Sequence, residues 1–261
     1  FLSNKAMTYT LVPGAEITHS LGITRGKNDK LDAQRIARYA YKNREEIRIR
    51  TLPSEAIRIL KTLLSHRERI VKSRHAFKVS SGEIKAFESS NVFQQIALST
   101  KKIQDYFRIE LRQVEKAIDQ CLQNNPTLNH TYKLLLSVPG IGRQNALYMI
   151  VITQNFVSFN CPRKFAAYAG IAPFKTSSGK SKSSKSKVSH KANKKMKTLL
   201  TSAVVTSLQS CAEYRLYFEK QLKRGKTENS IKNVLRNKIV ARAFAVVTRD
   251  SPYVNTHAFA S

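Results

Sequence analysis

Asp29 and Asp32 stand three residues apart in Arg25-Gly-Lys-Asn-Asp-Lys-Leu-Asp-Ala33. At the start of a helix that spacing turns both carboxylates to one face. The pair then suits sharing a divalent cation in phosphoryl transfer, although first-turn aspartates also arise from capping and helix-dipole chemistry alone. A second group is Thr176-Ser-Ser-Gly179, inside the run Lys175-Thr-Ser-Ser-Gly-Lys-Ser-Lys-Ser-Ser-Lys-Ser-Lys187. A serine hydroxyl needs activation to serve as a nucleophile. No carboxylate is near it in sequence, and the close histidine is His190. Lysines and arginines can stabilise an alkoxide and a pentacovalent phosphate. The same composition also makes a solvated linker that merely touches DNA. A third group is Val138-Pro-Gly-Ile-Gly-Arg-Gln-Asn-Ala146, the pattern of a helix-hairpin-helix DNA-binding turn. Its glycines let the backbone approach a phosphate, and the N–H groups of the next helix point at it. Without a ligand the same pattern is a tight helix–helix connection. Phosphate contact of this kind is independent of base sequence.

The elements that must hold these groups are mostly helical. Thr8 to Val12 is β-prone and stops at Pro13-Gly14, which predicts a strand. A short helix follows over Ala15–Leu21, then a turn at Thr24–Asn28 and a helix from Asp29 to about Asn43, capped by Asn28 or Asp29. Strand, helix, turn and helix form the last portion of an α/β domain. Pro53-Ser54-Glu55 opens a helix with Ile57, Leu60, Leu64 and Val71 at helical spacing. A second long helix carries Ile103, Phe107, Leu111, Val114, Ile118 and Leu122 on one stripe. Joined near Ser80–Thr100, the two read as an antiparallel coiled-coil hairpin or as two ordinary bundle helices. Asn124-Asn125-Pro126 starts a mainly helical last domain. Its helices are predicted over Tyr132–Ser137, Gln144–Gln154, Pro162–Ala169, Lys191–Gln221 and Asn229–Thr248, with Gly225 as a C-cap.

Charge decides the class of partner. The 261 residues carry a formal net charge of +29, with 41% hydrophobic residues, enough for packed cores rather than a disordered basic tail. From Gln120 through Ala212 there are 93 residues without one Asp or Glu, and 13 Lys and Arg. A surface so biased is shaped by a negatively charged partner, nucleic acid before all others. No apolar run approaches the length of a transmembrane helix, so no membrane partner is expected. Cys121, Cys161 and Cys211 lie far apart, without zinc spacing, and read as buried thiols of a reducing cytoplasm.

In this order the motifs resemble the transposases of insertion-sequence family 110. The matching pieces are Arg25–Ala33, Ser137-Val-Pro-Gly-Ile-Gly142, Lys164-Phe-Ala-Ala-Tyr-Ala-Gly-Ile-Ala-Pro173, Thr176-Ser-Ser-Gly179, and Ser189-His-Lys-Ala-Asn193 leading into Lys197-Thr-Leu-Leu200. The resemblance implies three parts. Residues 1–50 are the C-terminal part of an α/β RuvC-like (RNase H-like) nuclease domain. Residues 51–125 are the coiled-coil hairpin. Residues 126–261 are a mostly α-helical transposase domain with the helix-hairpin-helix turn and a nucleophilic serine. It also implies an Asp, Glu, Asp, Asp site for Mg²⁺. Asp29 and Asp32 match its last two acids, and its first Asp and its Glu are expected upstream of Phe1, so the site is incomplete here.

The family's serine immediately precedes glycine in the loop after the Ala-Tyr-Ala-Gly…Pro motif, which is Ser178 here, with Ser177 as the second choice. Gly140, Gly142, Arg143, Lys175, Lys180, Lys182, Lys185, Lys187, His190, Asn193 and Lys194 are assigned to nucleic acid. The expected activity is breakage and rejoining of DNA strands during transposition, through a serine phosphodiester. The expected partners are DNA, a structured guide RNA from the same element, and further copies of the chain in a dimer or tetramer. The expected location is the bacterial cytoplasm, at the nucleoid. A different class of reading is a nucleic-acid-binding protein without catalysis, or an inactive transposase remnant.

Overall fold

Helical periodicity punctuated by Asn, Pro and Gly runs through most of the chain, and the described residues are almost wholly helical. The structure is a computed structural model that describes residues 10, 12–20, 22, 28–46, 52–87, 91–172, 177–178, 182–183 and 192–255, with 84–87, 177–178 and 182–183 as backbone alone. The chain divides into two compact units, Phe1–Pro53 and Ser54–Ser261.

In the first unit, α1 (Gly14–Ser20) and α2 (Asp29–Lys42) pack together. Tyr39 is the buried side chain of α2, and its hydroxyl donates to Glu16 of α1 at 2.7 Å. Asn28 caps α2, its Oδ1 accepting from the Leu31 N–H at 2.8 Å. The strand expected over Thr8–Val12 lies largely outside the described residues, and Thr10 and Val12 belong to no helix or strand. The α/β character expected of residues 1–50 is not displayed by the described residues. They hold two helices and their flanks, with no neighbouring strand to pair a ladder.

The second unit begins with α3 (Glu55–Phe87) and α4 (Asn91–Gln123). They run antiparallel: Arg67 pairs with Glu115, and Phe77 stacks on Phe107 with ring centroids 5.9 Å apart. The joint is far shorter than the Ser80–Thr100 expected from sequence. α3 runs on to Phe87 and α4 already begins at Asn91, since no Pro in that stretch stops either helix. The predicted stripe is buried at Val114, Ile118 and Leu122 and half-buried at Ile103, Phe107 and Leu111. Burial thus deepens towards the end of the hairpin that meets the remaining helices.

Those helices are α5 (Pro126–Leu136), α6 (Arg143–Thr153), α7 (Pro162–Tyr168), α8 (Lys194–Ser210), α9 (Ala212–Lys223) and α10 (Glu228–Arg249). Leu135, Leu147, Met149, Ile150, Phe165, Ile171, Leu200, Val204, Leu235 and Ile239 form one apolar core with Leu60 and Ile118 of the hairpin. Phe165 and Phe244 stack at 5.5 Å, and Phe156 meets Phe244 edge-on at 4.8 Å. Gly225, at φ +76°, ends α9 with its N–H on Leu222 O, as a left-handed C-cap should.

The single helix expected over Lys191–Gln221 is instead two. Cys211 is extended, and the Arg215 guanidinium turns back to the carbonyls of Leu208 and Gln209. That side chain satisfies orphan acceptors at the end of α8. Across the break, Glu213 is held by Lys238 and Arg242 of α10, with its side chain only 7% exposed. Burial pushes its carboxyl pKa up, but the hydrogen bonds from Arg242 and Lys238 outweigh this and hold it below the usual value. Among the described residues no helix is long and apolar enough to cross a membrane.

The gradient of burial along α4 is measurable. Ile118→Ala should destabilise the chain by roughly 2–5 kcal/mol, the usual range for a fully buried aliphatic, and Ile103→Ala by less than half as much. Chemical denaturation of the two variants checks it, and equal losses would mean the hairpin is packed uniformly along its length.

Candidate nucleic-acid interface and serine loop

The serine run leaves the core between α7 and α8, and its root is tightly held. Pro162 starts α7 where its missing N–H costs nothing. Ala169, Gly170 and Ile171 then turn, with Ile171 N–H on Ala166 O at 3.0 Å and Ala172 N–H on the same oxygen at 3.2 Å. The Ile171 carbonyl accepts from two amides of α10, Asn233 at 2.8 Å and Asn237 at 3.1 Å. On the return side, Asn193 N–H donates to Tyr168 O at 2.9 Å, and its Nδ2 to the Tyr168 hydroxyl at 2.9 Å. Asn193 Oδ1 caps α8 by accepting from Met196 N–H. Asn193, assigned to nucleic acid from sequence, is therefore the clasp that closes the loop onto α8. Sequence reasoning does not single out Asn233 and Asn237. No signal marks them, because their partner is a backbone carbonyl more than sixty residues away.

Within the loop, β1 (Ser177–Ser178) pairs antiparallel with β2 (Lys182–Ser183), with Ser177 opposite Ser183 and Ser178 opposite Lys182. The short ladder joins two serine-bearing pieces of the Lys175–Lys187 run. Lys175, Lys180, Lys185, Lys187 and His190 lie outside the described residues. Lys194 is exposed in the first turn of α8.

The glycine turn between α5 and α6 separates its two glycines. Gly140 has φ +88°, and a Cβ there would stand 2.4 Å from the Ala203 carbonyl oxygen and 2.9 Å from Ser207 Cβ of α8. Its smallness serves close packing on α8. Gly142 has φ −92°, faces open space, and precedes α6 without any side-chain cap. The first-turn N–H groups of α6 therefore lack a side-chain acceptor, the arrangement that accommodates an anion. Arg143, assigned to nucleic acid from sequence, has its guanidinium on Glu115 at 2.9 Å, Asp119 at 2.7 Å and the Glu115 carbonyl at 3.3 Å. It ties α6 to α4.

In the first unit, Asp29 is exposed and Asp32 pairs with Arg35 at 2.9 Å. A hard divalent cation takes six or more oxygens. Among the described residues no third His, Cys, Asp or Glu groups with these two, so they do not by themselves form a cation site.

The two glycines make opposite predictions. Gly140→Ala should cost roughly 2 kcal/mol or more, combining a left-handed non-glycine with a clash against backbone. Gly142→Ala should leave the melting temperature within a degree or two. Thermal melts of both variants check it, and an unaltered Gly140→Ala would contradict the packing described.

Comparison with known proteins follows the same division of the chain. A family model described as Transposase, of the DEDD type in the IS110 group, matches residues 1–81. A second, described as Transposase IS116/IS110/IS902 family, matches residues 132–219, which include the glycine turn, the serine loop and its clasp. The pilin gene-inverting proteins of Moraxella bovis and Moraxella lacunata are each 26% identical over 237 residues, covering 90% of this chain and 70% of the relative. An uncharacterized 43.6 kDa protein of insertion element IS110 from Streptomyces coelicolor is 27% identical over 142 residues, 54% of this chain and 34% of its own. Two family models in register with the motifs, and relatives along nearly the whole chain, support an IS110-family transposase.

Proposed function

We propose that the chain breaks and rejoins DNA strands with Ser178 as the nucleophile. The observation that carries this reading is the serine hairpin itself. It is a cation-rich, carboxylate-free excursion rooted on packed helices by Asn193, Asn233 and Asn237, inside the segment that matches the transposase family. Supporting it, the Moraxella relatives are named for inverting a pilin gene.

In this reading the Ser178 hydroxyl oxygen attacks a backbone phosphorus. A P–Oγ bond forms as a DNA P–O bond breaks. The serine proton passes to a base, for which His190 is the candidate within the loop, and the departing DNA oxygen becomes a hydroxyl. Attack by the hydroxyl of a second strand reverses the exchange and frees the serine. One phosphodiester replaces another, so no nucleotide is consumed. Lys182, opposite Ser178 in the register, and Lys175, Lys180, Lys185 and Lys187 supply positive charge where the pentacovalent phosphate becomes most negative. Such preorganised charge typically contributes about 3 kcal/mol per well-placed donor. Gly142 and the start of α6, with Lys194, bind flanking phosphates without reading bases.

The three-part division belongs to the same proposal. Residues 1–50 are the C-terminal part of a RuvC-like α/β domain. Residues 51–125 are a coiled-coil spacer, and residues 126–261 are the serine-bearing domain with its helix-hairpin-helix turn. Asp29 and Asp32 contribute two ligands towards a divalent cation, Mg²⁺, which supplies Lewis-acid chemistry at phosphate when the remaining ligands are present. A structured guide RNA and assembly into a dimer or tetramer complete the proposal.

The test uses protein in which the complete acidic set is present. Ser178→Ala should abolish both recombination and the covalent protein–DNA adduct on denaturing gels, while duplex binding persists. Ser177→Ala should keep much of the activity. An adduct that survives Ser178→Ala and vanishes with Ser177→Ala would move the nucleophile by one residue. Loss of neither would leave a DNA-binding protein whose serine loop is a contact surface only.

A further inference from the structure

Five arginines among the described residues are half-buried, and four of them meet carboxylates. Arg35 pairs with Asp32, Arg67 with Glu115, Arg143 with Glu115 and Asp119, and Arg242 with Glu213. The fifth, Arg236 of α10, does not. Its Nε donates to Thr201 Oγ1 at 3.1 Å and its Nη1 to Asn233 Oδ1 at 3.3 Å. Its Nη2 has no acceptor among the described residues. Removing a guanidinium from water without an opposite charge is unfavourable, and buried charges are as a rule paired. Burial depresses its pKa, with no carboxylate acting in the other direction. The adjoining loop cannot supply the missing charge, since residues 173–191 contain no Asp or Glu.

The surroundings of Arg236 are built to orient it. The Thr201 hydroxyl donates to Lys197 O at 2.8 Å, which turns a lone pair towards Arg236. Asn233 offers its Oδ1 to Arg236 while its Nδ2 holds the Ile171 carbonyl. One amide therefore links the arginine to the root of the serine loop, seven residues before Ser178. Lys194, Lys197 and Thr201 are spaced three and four apart on α8 and share a face. Neither lysine meets a carboxylate among the described residues. Lys194, Lys197 and Arg236 thus meet no carboxylate among the described residues, and Arg236 is tied through Asn233 to the carbonyl where the loop leaves the core.

We propose that Arg236, oriented by Thr201 and Asn233 and flanked by Lys197, binds a backbone phosphate of the DNA strand beside the serine loop. The ligand is a phosphodiester: a planar fork with a free Nη2 suits its two unesterified oxygens, and a held arginine costs less ordering entropy on binding than a free lysine. The proposal rests on the serine-loop reading for where chemistry occurs, but its test does not.

Duplex DNA binding is titrated at several salt concentrations for the wild-type chain, Arg236→Gln, Arg236→Lys and Ser178→Ala, with melting temperatures for each. Arg236→Gln should weaken binding roughly tenfold and make the log–log salt slope shallower by about 0.9, one phosphate contact. Its melting temperature should be unchanged or raised, since an uncompensated cation has gone. Arg236→Lys should keep the slope and lose part of the affinity. Ser178→Ala should keep both, so failure of the serine as nucleophile leaves this result intact. An unchanged slope in Arg236→Gln overturns the proposal. So does a melting temperature lowered by several degrees in both Arg236 variants, which would make the arginine a structural strut. A slope change seen on single-stranded RNA but not on duplex DNA overturns the assignment to DNA.

Discussion

The organisation of this protein depends on where its carboxylates are absent. Residues 120–212 carry 13 cations and no acid, so every ion pair made by that stretch borrows its carboxylate from outside. Glu115 and Asp119, on α4 just before it, take Arg143. Glu68, on α3, takes Lys195 at 3.2 Å. These flanking acids fasten the basic stretch to the helices around it. Among the described residues Lys133, Arg163, Lys164, Lys194 and Lys197 meet no carboxylate. Repulsion among them is tolerated because the apolar core beneath is continuous, from Leu60 and Ile118 to Phe165 and Val204.

A second consequence is mechanical. The serine loop joins α7 to α8, and side-chain amides hold both of its ends. Asn193 clasps one end to Tyr168, and Asn233 and Asn237 hold the other at the Ile171 carbonyl. Amides are suited to both ends, because they bond carbonyls and hydroxyls without adding a charge. Gly140 contributes differently, letting the α5–α6 turn lie against the α8 backbone, so the turn and the Asn193 clasp both bear on α8.

The sequence revealed what local physics controls. The stripe on α4 was legible because helical spacing survives in any context, and Asn28 and Gly225 were legible because caps are short-range chemistry. The break at Cys211 was not: no Pro or Gly marks it, and it depends on Arg215 reaching back to Leu208 and Gln209. Nor could spacing separate a cation paired with a carboxylate from one that meets none among the described residues. Arg143 and Lys194 look alike in a basic stretch, and the difference is a carboxylate 28 residues from Arg143. Gly140 and Gly142 likewise read as one motif, although φ +88° and φ −92° give them separate roles. The α/β character of residues 1–50 depends on strand partners that the described residues do not contain.

If the carboxylate-free stretch is the phosphate-binding surface proposed above, its affinity for DNA responds to salt. Titrating the unmodified chain with a short DNA duplex across a range of salt concentrations should give a log–log slope of roughly −5 to −9, the release expected from about six to ten phosphate contacts. A slope near zero would contradict the account, because the unpaired cations would then serve something other than nucleic acid.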